Sequence, residues 1–264
     1  MKPFEFHQPS STKEAIGLVH ARDGARFLAG GQSLLPVLKL ELAEPSDLVS
    51  LAKLPELRGI TAGAGAITVG ALATHDDVSR SADVLRAIPA LAALAGAIGD
   101  AQVRNRGTLG GSVAHADPAA DYPAALLALG ATVVTDRREI AADAFFTGLF
   151  ATALERDELV TAVRFPIPKR AAYAKFAHRA SKYALVGVMV AETAGGIRVA
   201  VTGAGAKVFR VSAFEAALAA RCEASALDGI AVSAVELNSD AEASAEYRAH
   251  LIGVMARRAV QALA

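Results

Sequence analysis

The sequence contains a single cysteine, Cys222, among its 264 residues. One thiol excludes an internal disulfide, and it also excludes an iron–sulfur cluster held by four cysteines of this chain alone. An excess of charge of one sign is missing too, because 27 basic side chains balance 27 acidic ones. With no net field to attract nucleic acid or an anionic membrane, we expect neither as a partner.

Long apolar runs are also missing from the sequence. No segment is both long and uncharged enough to span a bilayer, and the first residues contain no apolar run of signal-peptide length. We therefore expect a soluble, cytoplasmic protein without a membrane span. The histidines form no His-x-His or His-x-x-x-His pair, so we predict no metal site, and we assign no catalytic residue.

The apolar periodicity predicts an α+β chain in two parts, joined by a proline-containing linker at residues 166–170. The first fifty residues read as strand, helix, strand, helix, strand. The second part is rich in predicted strands and ends in helices at 212–222 and 241–262. The second helix of the chain has a predicted stripe of Leu34, Leu35, Leu38 and Leu42. The last helix has a predicted shared face of Tyr247, Leu251, Met255 and Ala259.

Two glycine-rich segments, residues 29–36 (AGGQSLLP) and 107–112 (GTLGGS), have the composition of anion cradles. Each is expected to follow an extended stretch. Glycines let backbone N–H groups approach a phosphate closely, and Ser or Thr hydroxyls add donors. The pair indicates one ligand with two phosphates held between the segments. Taken alone, the first segment is equally typical of an ordinary strand-to-helix turn.

Two further features bear on the ligand. Asp121 follows the second glycine segment, where its carboxylate can accept hydrogen bonds from a diol such as ribose or can cap the next helix. Residues 203–208 (GAGAKV) approach the Gly-x-Gly-x-x-Gly dinucleotide fingerprint, but Val208 replaces its last glycine. A tight turn accounts for that segment better than an NAD site does.

The order and spacing of these motifs resemble the flavin-binding medium subunit of molybdenum hydroxylases. This group contains carbon monoxide dehydrogenase and the central domain of xanthine dehydrogenase. The resemblance begins at residues 4–9 (FEFHQP), includes both glycine segments, and ends with residues 246–248 and 253–259. It implies an α+β fold in which a two-part FAD-binding domain of the vanillyl-alcohol oxidase type precedes a C-terminal antiparallel sheet with helices.

The resemblance also implies the domain limits. The FAD-binding domain is expected at residues 1–167, with subdomains of about 1–55 and 56–167. A C-terminal α/β domain of the molybdenum-hydroxylase flavoprotein type is expected at 168–264.

The same resemblance implies which residues bind FAD. The glycine segments would wrap the pyrophosphate, and Asp121 would contact ribityl or ribose hydroxyls. Ile98 and Val160 would lie near the flavin. Tyr183 would lie over the isoalloxazine, although a tyrosine here also fits a strand core. The implied cofactor-binding residues are Leu28, Ala29, Gly30, Gly31, Gln32, Ser33, Leu34, Leu35, Ile98, Thr108, Leu109, Gly110, Gly111, Ser112, Asp121, Val160, Lys175 and Tyr183.

The chain departs from the family pattern at two positions near the flavin. Ala177 follows Phe176, where several members carry a lysine, and Lys175 lies two positions earlier. Lys182 replaces an acidic residue often found just before the tyrosine. Because charge near the ring tunes a flavin, these departures bear on its potential and its electron acceptor.

The resemblance implies an electron-transfer subunit that passes electrons from [2Fe-2S] clusters of a partner through FAD to an external acceptor. The expected partners are a large molybdopterin subunit and a small [2Fe-2S] subunit, in an αβγ or (αβγ)2 assembly. Two alternatives stay open from the residues: a stand-alone FAD-dependent oxidase, and a non-enzymatic nucleotide-binding module.

Overall fold

The computed structural model describes residues 1–263 of the chain, which form an α+β fold as predicted. The first fifty residues contain β1 (Glu5–His7), α1 (Thr12–His20), β2 (Ala25–Leu28), α2 (Leu34–Lys39) and β3 (Asp47–Ser50). The strands form a parallel sheet in the order β1-β3-β2. This alternation confirms the predicted order of elements.

The predicted leucine stripe on α2 is wrong at its last member. The helix ends at Lys39, and Glu41 adopts a left-handed conformation with φ of 57°. That conformation cannot continue a right-handed helix. Leu42 is consequently 73 % exposed, whereas Leu38 is buried.

The middle of the chain forms a five-stranded antiparallel sheet and a separate two-stranded hairpin. The strands of the sheet are β4 (Ile60–Gly63), β5 (Ala66–Gly70), β6 (Thr132–Thr135), β7 (Glu139–Ala141) and β10 (Val160–Pro166). Their spatial order is β4-β5-β10-β6-β7. The hairpin consists of β8 (Phe146–Gly148) and β9 (Ala151–Thr152). The helices are α3 (His75–Arg80), α4 (Ala82–Ala87), α5 (Pro89–Gly96), α6 (Ala101–Arg104), α7 (Leu109–His115), α8 (Tyr122–Leu129) and α9 (Ala142–Phe145).

The last part of the chain is an antiparallel sheet covered by two helices. Its strands are β11 (Arg170–Ala177), β12 (Ala184–Thr193), β13 (Gly196–Thr202) and β14 (Phe209–Arg210), which pair in chain order. The helices are α10 (Ser212–Ala220) and α11 (Ala245–Gln261). Short 3-10 turns occupy Pro55–Leu57 and Ala224–Leu227.

Helix α11 differs from the prediction at its start. It begins four residues later than expected, because Ser244 caps it by accepting a hydrogen bond from the Tyr247 amide. Leu251, Met255 and Ala259 are buried as predicted. Tyr247 lies in the first turn and is half-exposed, so it does not belong to the buried face.

Helix α8 connects the middle and C-terminal sheets. It contacts β12 and β13 on one side and β10 on another, and every one of its residues is buried. Its hydrophobic cluster also contains Met189 and Ala200 of the C-terminal sheet. Because this cluster includes residues from both expected domains, the boundary between residues 167 and 168 stays a prediction. The helix also fixes the position of Asp121, which is the residue immediately before it.

None of the helices within residues 1–263 is long and apolar enough to cross a membrane. The cytoplasmic location stays a prediction.

Candidate functional site

A cleft of about 780 Å³ brings the two glycine segments together. Its volume lies within the range of ligand-binding clefts. Residues from all three main sheets or their adjoining loops line it. Fifteen of the predicted cofactor-binding residues lie on its wall: Leu28, Ala29, Gly30, Gly31, Gln32, Ser33, Leu34, Ile98, Thr108, Gly110, Gly111, Ser112, Asp121, Val160 and Tyr183. Leu35, Leu109 and Lys175 do not line it.

The first glycine segment joins β2 to α2 and has unpaired donors. Within residues 1–263, no acceptor of the chain pairs with the backbone N–H groups of residues 30–34. Gly31 has a φ of 75°, a conformation that glycine adopts without steric penalty. Consecutive free amides before a helix N-terminus are suited to an anion, so this segment fits a diphosphate group.

The second glycine segment differs from the sequence expectation. It follows helix α6 rather than a strand, and Thr108 makes only an isolated bridge to Thr74. The amides of Leu109 and Gly110 donate to the carbonyls of Ala73 and Ala71, each at 2.9 Å.

Further pairing within this segment satisfies the next amide. Thr108 caps α7 by accepting a hydrogen bond from the Gly111 amide at 3.2 Å. Of residues 107–112, only Thr108 has an amide without an acceptor in residues 1–263. The segment therefore offers mainly hydroxyls and a close wall, and most of the free N–H donors belong to the first segment.

The two glycine segments contact each other directly. A Cβ placed on Gly30 would overlap the carbonyl oxygen of Arg106 and lie 2.9 Å from the Cα of Gly107. Gly110 packs in the same manner against β5, since its Cβ would lie 2.5 Å from the Cβ of Ala71. Glycine is therefore required here for backbone approach, which the turn interpretation of the first segment alone does not explain.

Asp121 occupies the N-cap position of α8, yet its side chain does not cap the helix. It is only 4 % exposed, and its Oδ1 accepts hydrogen bonds from Tyr173 Oη at 2.6 Å and Lys175 Nζ at 2.9 Å. Burial raises the pKa of this carboxyl, while the nearby Lys175 ammonium opposes that shift. Asp121 also lines the cleft, so a buried acceptor is presented to whatever binds there.

Two buried polar groups near this wall have no partner, and one of them, His75, lines the cleft. His75 Nδ1 and the Tyr122 hydroxyl are both buried without a hydrogen bond in residues 1–263, and their rings lie 5.4 Å apart. Burial, with a smaller effect from the Arg104 guanidinium, lowers the pKa of His75 to about 4. The imidazole is therefore neutral at pH 7 and contributes no positive charge to the cleft.

Tyr183 lies outside the strand core that was its alternative placement. It precedes β12, is 42 % exposed and lines the cleft. Burial of its hydroxyl group, followed by the charge of Asp117, raises its pKa. Ile98 and Val160 also line the cleft.

Several cleft residues were not predicted as ligands. His75 lies on the cleft wall, and residues 1–263 contain no group of three or more His, Cys, Asp or Glu placed to hold a metal ion. Asp117 stands just after the second glycine segment, a position that could have marked it. His115 and Phe150 also line the cleft, and nothing in the sequence pattern marked Phe150.

Comparison with known proteins identifies the family. Residues 2–168 match the model for the FAD binding domain in molybdopterin dehydrogenase. The chain belongs to this family.

Relatives of this molybdopterin-dehydrogenase family align along nearly the whole chain. The medium chain of carbon monoxide dehydrogenase from Hydrogenophaga pseudoflava is 34 % identical over 98 % of this chain and 96 % of its own length. The medium subunit of nicotine 6-hydroxylase from Paenarthrobacter nicotinovorans is 36 % identical over 97 % of this chain and 95 % of its own.

Solved structures of the family have the same fold. The carbon monoxide dehydrogenase structure from H. pseudoflava superposes with a TM-score of 0.91 at 35 % identity, covering 100 % of this chain and 98 % of that one. Quinoline 2-oxidoreductase from Pseudomonas putida 86 gives 0.89 at 31 % identity, with 100 % and 98 % coverage. These matches confirm the predicted fold, FAD as the cofactor, and the class of flavoprotein subunit of a multi-subunit oxidoreductase.

Proposed function

We propose that the chain is the electron-transfer subunit of a molybdenum hydroxylase. It receives electrons from [2Fe-2S] clusters of a partner subunit and delivers them through FAD to an external acceptor. The observation that carries the proposal is the row of free amides at residues 30–34, facing a cleft that Asp121 also lines. A diphosphate and a hydroxyl-bearing chain satisfy these two features together.

The first glycine segment holds the pyrophosphate of FAD. Its free N–H groups supply the donors, and the Ser33 hydroxyl lies beside them on the cleft wall. The hydroxyls of Thr108 and Ser112 line the opposite segment. No lysine or arginine has to be placed on the phosphates, because backbone amides at a helix N-terminus favour an anion by themselves.

Asp121 orients the hydroxyl-bearing part of FAD. Tyr173 and Lys175 both engage Oδ1, and no side-chain donor within residues 1–263 pairs with Oδ2. A ribityl or ribose hydroxyl can therefore donate to Oδ2. Burial raises the pKa of Asp121, and the paired Lys175 opposes that shift by favouring the charged carboxylate, which is the stronger acceptor.

The flavin supplies one- and two-electron chemistry when bound, and the protein binds, orients and tunes it. Ile98, Val160 and Tyr183 provide an apolar and aromatic wall for the ring. Lys182, adjacent to Tyr183, contributes positive charge where family members often have an acidic residue.

The partners follow from what this chain does not supply. A single cysteine cannot hold a [2Fe-2S] cluster, so a small [2Fe-2S] subunit provides the electrons. A large molybdopterin subunit carries the substrate reaction. The names of the relatives, which are medium chains or medium subunits, support an αβγ or (αβγ)2 assembly.

The test is flavin uptake and redox cycling by the purified chain. We expect it to bind FAD, to bleach on photoreduction and to recover its colour in air. Co-expression with the two partner subunits should add electron transfer from reduced clusters to the flavin. A chain that takes up no FAD contradicts the proposal, and substrate turnover by the isolated chain favours a stand-alone oxidase instead.

A further inference from the structure

The turn of the β8–β9 hairpin carries a large aromatic residue in a conformation that favours glycine. The strands are joined by two residues, Leu149 and Phe150, with Gly148 paired to Ala151. Phe150 has a φ of 52°. A left-handed conformation is a genuine outlier for a bulky residue, and glycine is preferred at the second position of such a turn.

Packing within the chain does not compensate for this strain. The side of the hairpin bearing Phe150 lines the cleft, and the residue is 54 % exposed. Its ring has one aromatic neighbour, His115, with centroids 5.3 Å apart and a tilt of 52°. His115 is itself on the cleft wall. The strained residue therefore presents apolar surface to the cleft instead of burying it.

We infer that Phe150, supported by His115, stacks against an aromatic ring of bound FAD. The inference rests on the proposed function. A ligand held by the first glycine segment extends along the cleft in both directions, and FAD carries a flat ring at each end. Offset or tilted stacking on an aromatic side chain suits either adenine or isoalloxazine, because both present a π-face. Strain that persists at a ligand-facing residue is typical of a functional position.

Phe150→Gly tests the inference, because it removes the ring and relieves the backbone at the same time. The melting temperature of the FAD-free chain should stay equal or rise. The affinity for FAD, measured by calorimetry on the full chain, should fall about tenfold, which is the lower range for loss of one base–aromatic stack. Phe150→Tyr keeps the ring and should keep the affinity. Leu149→Ala is the matched control, since it alters the same turn at a residue that does not line the cleft.

Titrations with ADP and FMN identify the ring. Weaker binding of FAD and ADP with unchanged FMN assigns Phe150 to adenine, and weaker binding of FAD and FMN with unchanged ADP assigns it to isoalloxazine. If Phe150→Gly binds FAD with the same affinity as the parent chain, the stacking inference is wrong and the proposed function is unaffected. The same conclusion holds if the variant retains FAD but no longer binds its partner subunits. A parent chain that binds no FAD overturns the proposed function as well.

Discussion

Lys175 Nζ lies 2.9 Å from Asp121 Oδ1, and both side chains are nearly excluded from water. The same ammonium donates to the carbonyl oxygens of Ala97 at 2.8 Å and Lys182 at 3.0 Å. Ala97 precedes Ile98, and Lys182 precedes Tyr183. Lys175 does not line the cleft itself, yet it ties together three segments that do. Its predicted role in cofactor binding is therefore best described as positioning.

Replacing Lys175 by Met should destabilise the chain by about 3 kcal/mol, because Asp121 is left as a buried charge without a cation beside it and keeps only the hydrogen bond from Tyr173. The pKa of Asp121, already raised by burial, should rise further. The loss of stability should be smaller in acid, where the carboxylate of the variant is protonated and no longer carries an uncompensated charge. Urea unfolding at several pH values measures this effect.

Lys169→Met is the control for that experiment. Lys169 pairs with Glu192 at 3.3 Å on the surface, so its removal should change the unfolding free energy by less than about 1 kcal/mol. Equal effects of the two lysine variants would contradict the positioning role.

Alanine at Gly31 should weaken FAD binding more than it weakens the fold. The residue has a φ of 75°, and a Cβ would lie 2.9 Å from Leu35 Cδ1, a flexible side-chain end that can move. We expect the strained backbone conformation of the alanine to lower the unfolding free energy by about 1 kcal/mol. The loss in FAD affinity should be larger, because the N–H groups that donate to the ligand change direction.

Gly196→Ala provides the matched control, since Gly196 has a φ of 109° and open space around it in the β12–β13 turn. It should show a similar stability loss with unchanged FAD affinity.

Gly110→Ala should behave differently again, because its Cβ meets both the Cβ and the backbone of Ala71. It should destabilise the core whether or not FAD is present. Thermal melts with and without FAD separate the three variants.

Glu158 should make stability fall in acid. Its side chain is buried and accepts hydrogen bonds from Arg138 Nε at 2.9 Å, Arg138 Nη2 at 2.8 Å and Thr135 Oγ1 at 2.8 Å. The hydrogen bonds from Arg138 are the largest cause that lowers its pKa from 4.5 to about 2. Because the folded-state pKa is the lower one, the stabilisation is complete above about pH 4.5 and is lost as the pH falls toward 2.

The contribution of Glu158 to stability is at most on the order of 3 kcal/mol for a shift of this size, because solvent screens the half-exposed Arg138 of the pair. Glu158→Gln should lower the stability at pH 7 and flatten the acid limb of the stability curve. Unfolding free energies of the two proteins measured from pH 7 to pH 2 provide the comparison. Parallel curves would show that Glu158 makes no pH-dependent contribution.

Local patterns were sufficient to predict much of the fold and the location of the site. The strand–helix alternation of the first fifty residues depends on side-chain periodicity and capping, which are sequence-local. It was not predictable in this way that the first glycine segment has free amides whereas most amides of the second are already hydrogen-bonded. The partners of the amides of Leu109 and Gly110 are Ala73 and Ala71, far away in the sequence, and only the folded chain brings them into contact.

The same reason limits prediction of charge pairing and strain. Lys175 and Asp121 lie 54 positions apart in the numbering (175 minus 121), on a strand and before a helix that meet only through the buried packing of α8. The left-handed conformation of Phe150 contradicts the local preference of an aromatic residue, so no local rule predicts it.

Tyr183 provides a spectroscopic test of where the isoalloxazine lies. A phenol in contact with this ring quenches its fluorescence, so FAD bound to the parent chain should be weakly fluorescent. Tyr183→Leu should increase the fluorescence of bound FAD severalfold and weaken binding by up to about tenfold, the range for loss of one aromatic contact. Tyr247→Leu is the control, because Tyr247 has similar exposure but lies on α11 and does not line the cleft. If both variants leave the fluorescence of bound FAD unchanged, the ring lies elsewhere in the cleft, and the charge of Lys182 no longer bears on its potential.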